Sequence, residues 1–99
     1  MEKSITSDDY KVFLRYLRMT REEMGLTQVD VAERLGETQT FVSKCERGER
    51  RIDLMELKSF CGALGVSLSH FVKGLEQQFE SASSTAIAKR ALKKAPRLS

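Results

Sequence analysis

The chain has 99 residues, 40% apolar and 31% charged, with a formal net charge of +3. This is the composition of one small globular domain, since two would each be too small to bury a core. The charge is uneven: residues 81–99 hold Lys89, Arg90, Lys93, Lys94 and Arg97 with no acid, and residues 1–80 hold 12 basic and 14 acidic groups. The basic balance therefore belongs to the tail, and any nucleic-acid argument must rest on where particular charges lie. No run approaches the ~18 consecutive apolar residues of a membrane span. Met1-Glu2-Lys3-Ser4 leads into no apolar segment, so neither membrane insertion nor secretion is expected.

Sustained two-residue alternation and Asn-Gly or Asp-Gly hairpin turns are missing from the sequence, so an all-α fold is predicted. Residues 8–24 read as a first helix. Tyr10, Phe13, Leu14, Leu17, Arg21 and Met24 fall on one face, Ser7 or Asp8 can cap the start, and Gly25 is placed to end it. Thr27 with Asp30 forms a weak capping box for a short helix over 28–35, whose inward residues are Val31, Ala32 and Leu35. The turn Gly36-Glu37-Thr38 leads to a third helix over 39–47, capped by Thr38 and stopped by Gly48, with Val42, Cys45 and Glu46 turned inward.

Asp53 and Glu56 make a second capping box and open a fourth helix, with Leu54, Leu57, Cys61 and Leu64 as its stripe and Gly65 at its end. Gly62 within it is expected to allow close helix packing. Ser67 caps a fifth helix carrying Leu68, Phe71, Val72, Leu75 and Phe79. The domain is thus drawn as residues 1–79. Residues 80–99 are a basic tail, disordered or forming a sixth helix between Ala86 and Ala95 before Pro96.

Two short helices joined by a three-residue turn inside a five-helix bundle form a helix-turn-helix. Leu26-Thr27-Gln28, Val31-Ala32 and Leu35-Gly36 are followed by Thr38-Gln39, Val42-Ser43 and Glu46-Arg47-Gly48. In this spacing they resemble the Cro/repressor-like (XRE) helix-turn-helix family of transcriptional regulators, over about residues 9–76. The resemblance implies a five-helix, lambda-repressor-like DNA-binding domain of the bacterial or phage cytoplasm, associated with the nucleoid.

Each position has a physical reason. The outward residues of the third helix, Gln39, Thr40, Ser43 and Lys44, lie toward its N-terminal half, the part that enters a major groove. Glutamine can bind adenine bidentately and lysine can donate to guanine, each good bidentate pair contributing roughly 1–3 kcal/mol of discrimination. Phe41 is either a core side chain or a half-exposed ring that meets a thymine methyl. Thr27, Gln28 and Thr38 stand at helix starts, where backbone N–H groups can meet phosphate. For Gln28 the resemblance implies that role directly. Arg47, Arg50 and Arg51 can clamp the backbone beyond the recognition helix. Arg21 and Glu46 sit on apolar stripes, and the resemblance implies that they pair between the first and third helices.

Other chemistry is poorly served. The adjacent acid pairs Asp8-Asp9 and Glu22-Glu23 point to different helix faces. With one histidine there is no nucleophile–base pair, and no phosphate-binding glycine loop occurs, so an enzyme is not expected. Cys45, Cys61 and His70 are fewer than the four ligands of a structural zinc site. The cysteines are expected as small buried hydrophobes, His70 as a surface residue, and no metal or cofactor is implied.

The expected partner is double-stranded DNA carrying a palindromic operator, read by a homodimer whose half-sites stand about 34–36 Å apart. Leu75 and Phe79 are the candidate dimer interface. Alternatively, the chain is an antitoxin-type module that binds a protein partner and regulates its own operon. The tail would then be the partner-binding segment; it could also serve as an added DNA-binding arm. The excess of acid in residues 1–80 also leaves open a degenerate domain without DNA binding.

Overall fold

The computed structural model describes residues 7–82, which form five α-helices and, among the described residues, no strand. They are α1 (Asp8–Glu23), α2 (Gln28–Leu35), α3 (Gln39–Arg47), α4 (Leu54–Leu64) and α5 (Leu68–Ala82). Side chains start every helix. Ser7, Thr27, Thr38, Asp53 and Ser67 each accept a hydrogen bond from a backbone N–H three residues on. This satisfies donors that helical geometry leaves unpaired. Thr27/Asp30 and Asp53/Glu56 close both capping boxes reciprocally. The bond from the Thr27 backbone and hydroxyl holds the Asp30 carboxyl below its usual range.

The α2–α3 turn depends on glycine. Gly36 has φ +73°, in the left-handed region that costs other residues strain, and its geometry brings α3 back across α2. These two helices pack together, α1 lies on α3 and α5, and α4 lies on α2 and α5. Leu17, Val31, Val42, Cys45, Cys61, Leu64 and Phe71 are the most deeply buried side chains, each below 2% exposure. Both thiols are free, and burial pushes each above its usual range. That keeps them protonated and unreactive.

α1 meets α5 through aromatic rings: Phe13 stands edge-on to Phe71 at 6.3 Å, and Tyr16 lies 4.9 Å from Phe71. The Tyr16 hydroxyl fills the space beside Gly74, where an added Cβ would come within 1.9 Å of it. The Tyr10 hydroxyl accepts from the Ile52 N–H and so ties the loop between α3 and α4 back to α1.

Several packing expectations need correction. α1 ends at Glu23, and Met24, as its cap residue, is 47% exposed. Leu54 opens α4 at the rim of the bundle and is exposed; Leu57, Cys61 and Leu64 are buried as predicted, and Phe60 and Ala63 are buried beside them, so the α4 stripe starts later and is wider than the one predicted. Val72 is exposed because its neighbour Phe71 takes the inward position. Gly62 has open space where a Cβ would stand, so it relieves no close contact; of the two glycines inside helices, the one packed against a neighbour is Gly74. α5 runs on to Ala82. The remaining tail, with its expected basic helix, lies outside the described residues.

Candidate nucleic-acid interface

α3 is amphipathic in a way that separates support from presentation. Val42 and Cys45 are fully buried, which turns positions 39, 40, 43 and 44 to the other side of the helix. There Gln39, Thr40 and Lys44 are exposed and Ser43 is half-buried. Thr38 and Thr27, as exposed N-caps of α3 and α2, place both helix starts at the surface.

A continuous polar chain links this face to the interior. Arg21 donates from Nε to Glu46 Oε2 at 2.7 Å and from Nη2 to Oε1 at 3.1 Å, and its Nη1 donates to the Leu26 carbonyl at 2.9 Å. The two side chains retain only 10% and 5% exposure, so the pair between α1 and α3 expected from the resemblance is present and shielded from water. Glu46 Oε1 also accepts from Gln28 Nε2 at 2.9 Å, and Gln28 Oε1 accepts from Gln39 Nε2 at 2.7 Å. The carboxylate thus orients Gln28, and Gln28 orients the first residue of α3. Spacing alone placed Gln28 at a helix start but did not predict its bond to Gln39.

The arginines at the end of α3 and in the loop after it are held differently. Arg47 donates to both oxygens of Glu49, at 2.9 and 3.0 Å, and to the Ser43 hydroxyl. Arg50 donates to both oxygens of Glu56 at 3.1 and 2.8 Å, and its guanidinium lies 4.8 Å from the Phe41 ring centre. Arg51 lies 4.9 Å from the Tyr10 ring centre. These bonds hold the Glu49 and Glu56 carboxyls below the usual range, chiefly through Arg47 and Arg50 respectively. Phe41 is half-buried, stacked on Phe60 at 6.4 Å with an interplanar angle of 15°. It packs partly on the core while keeping an edge at the surface.

Leu75 and Phe79 lie elsewhere. Both are half-buried on an open, mainly apolar groove of about 590 Å³, shared with Tyr10, Phe13, Ile52 and Leu57. The groove is formed by α1, the start of α4 and the end of α5. The structure brings the expected base-contacting residues, the helix starts, Arg47 and Arg50 together on α2, α3 and the following loop; Arg51 is the exception, turned onto Tyr10 and lining the groove that holds the expected dimer residues Leu75 and Phe79. His70 is exposed in the first turn of α5.

Capped paired helices, a glycine turn, a polar outer face on the second helix and a buried ion pair beneath it define a helix-turn-helix module. Residues 17–71 match the family model described as Helix-turn-helix, and this chain belongs to that family, in its XRE type. Among solved structures, an XRE-family-like protein from Pseudomonas syringae pv. tomato str. DC3000 is 38% identical, with a TM-score of 0.68, covering 77% of this chain and 93% of that one. A point mutant of the restriction-modification controller protein C.Esp1396I is 25% identical with a TM-score of 0.70, covering 74% of this chain and 97% of that one. A curated relative is an uncharacterised HTH-type transcriptional regulator, y4dJ, of Sinorhizobium fredii, 45% identical over 47 residues. That match spans 48% of this chain and 61% of the relative.

Proposed function

We propose that this protein is a sequence-specific regulator of transcription that binds double-stranded DNA with α3 in the major groove. It carries out no catalysis and works in the cytoplasm at the nucleoid. The observation that most supports this reading is the bond from Gln39 to Gln28. It fixes a base-reading amide at the N-terminal end of α3 before DNA arrives, which lowers the ordering cost of a bidentate contact. Thr40, Ser43 and Lys44 read neighbouring bases, and the Phe41 edge supplies apolar contact. Thr27, Gln28 and Thr38 meet phosphate at the helix starts; Arg47 meets it at the end of α3, and Arg50 and Arg51 in the loop beyond.

The protein acts as a homodimer on a palindromic operator, through Leu75 and Phe79. This is supported by their place on a mainly apolar groove of α1, α4 and α5, away from the outward residues of α3 and bordered by Arg51. Selection of duplexes from a random pool tests the proposal, with Gln39→Ala/Lys44→Ala as the control. An enriched palindrome that the double variant fails to retain is the expected result; no enrichment at low salt contradicts it. Phe79→Ala is expected to sediment as a monomer, and a dimeric variant would move the interface elsewhere.

A further inference from the structure

Of the three arginines at the end of α3 and in the loop after it, Arg47 is the one bonded to an outward polar residue of α3. It lies within a turn of Ser43 and bonds the Ser43 hydroxyl through Nη1, while Nε and Nη2 each donate to Glu49. A guanidinium fork facing two oxygens of a carboxylate has the geometry with which it would face two oxygens of a phosphate. The Arg47 and Glu49 side chains are 52% and 54% exposed. Their contact is therefore weak and exchangeable, unlike the shielded bond of Arg21 to Glu46. The neighbouring Arg50 is less free to exchange. Its partner Glu56 also accepts from the Asp53 N–H in the α4 capping box, and its guanidinium lies on Phe41.

We infer that Glu49 is an affinity-setting residue: its carboxylate occupies the Arg47 fork in the DNA-free protein and must be exchanged for a DNA phosphate on binding. The inference rests on the DNA-binding reading above. While Glu49 is engaged, Arg47 stays across Ser43, so a phosphate donor and a base-contacting hydroxyl are masked together. On exchange, Arg47 moves to the backbone, Ser43 is released toward the groove, and Glu49 is left near phosphate without a partner. Binding is thereby weakened by an amount that this one side chain sets.

The test is a two-by-two comparison of wild type, Glu49→Gln, Arg47→Gln and the double variant. The probe is a fluorescent mixed-sequence 24-base-pair duplex, titrated at several KCl concentrations. Phosphate contacts are independent of sequence, so no operator is required. Glu49→Gln is expected to tighten binding about two- to fivefold, the range of an exposed ion pair. Its dependence on log salt should steepen by less than the ~0.9 of one phosphate contact, since Arg47 reaches phosphate in both proteins and only the counterion beside the freed Glu49 differs. In the Arg47→Gln background the gain should collapse, because Glu49 acts through Arg47. Equal gains in both backgrounds would show simple charge repulsion and overturn the inference, as would no gain at all. If no variant binds the duplex at the lowest salt, the DNA-binding reading falls and this inference with it. Circular dichroism melts accompany each variant; both positions are exposed, so folding is expected to be unchanged.

Discussion

α1 serves two neighbours by opposite means. Toward α3 it offers Arg21, each of whose three guanidinium nitrogens donates a hydrogen bond, two to Glu46 and one to the Leu26 carbonyl. Toward α5 it offers Phe13 and Tyr16, which pack on Phe71 and fill the space at Gly74. A buried charge pair seldom adds net stability over apolar residues of similar volume. The α5 side therefore holds the bundle together, and the α3 side holds Gln28 and Gln39 in position. Geometry needed for recognition and packing needed for stability are assigned to different ends of the same helix.

The largest expected effects come from breaking either end. Arg21→Ala leaves the Glu46 carboxylate buried without its cation and should cost about 3–5 kcal/mol in urea unfolding. Phe71→Ala should cost a similar ~3–5 kcal/mol through the cavity it opens. The double substitution Arg21→Met/Glu46→Leu sharpens the comparison. Replacing both charges should leave stability within about 1–2 kcal/mol of wild type or raise it. It should still weaken binding to a selected operator, since Gln28 loses the carboxylate that orients it. Unchanged binding with unchanged stability would show that the polar chain does not organise the reading face.

A medium effect separates two glycines inside helices. Gly74→Ala forces the Tyr16 hydroxyl out of its place and should destabilise by about 1–3 kcal/mol despite the better helix propensity of alanine. Gly62→Ala meets nothing, so propensity alone should stabilise it by about 0.5–1 kcal/mol. Thermal melts of both variants read these opposite signs.

The smallest effect is one of pH. The Arg50 and Asp53 bonds lower the Glu56 carboxyl below its ordinary 4.5, so the unfolded chain takes up its proton first as pH falls. The stabilisation is complete above that ordinary value and is lost as pH drops through the folded one. Glu56→Gln should therefore show a smaller loss of stability than wild type between about pH 5.5 and pH 3.5. An equal loss in both would place the acid sensitivity in other carboxylates.

Much of this was legible in the sequence because local signals are strong at helix ends. Ser7, Thr27, Thr38, Asp53 and Ser67 all cap where their residue type and the following pattern place a start, and Gly36 and Gly48 turn left-handed after α2 and α3. Interior detail was less legible. Periodicity gives a stripe but not its limits, so Leu54 at the open end of α4 read as core and Phe60 was passed over. Val72 beside Phe71 carries the same periodic signal, and tertiary packing chooses between them. The contact of Tyr16 with Gly74 crosses most of the chain and has no local signature. At the reading face, residue type and spacing placed Gln39, Thr40, Ser43 and Lys44 on one side of α3. The pairing of Arg47 with Glu49 and Arg50 with Glu56 depends on how the loop turns after Gly48, which no spacing rule encodes.

On the proposed function, one end of the bundle reads DNA while the other holds the fold. Titrating a ¹⁵N-labelled full chain with an operator duplex tests it most directly, by recording which backbone amides shift first. Early shifts are expected at residues 27–29, 38–44 and 47–51, with Val31, Cys61 and Phe71 unmoved. Shifts confined to α5 and the groove around Phe79, or no shifts at low salt, would contradict it.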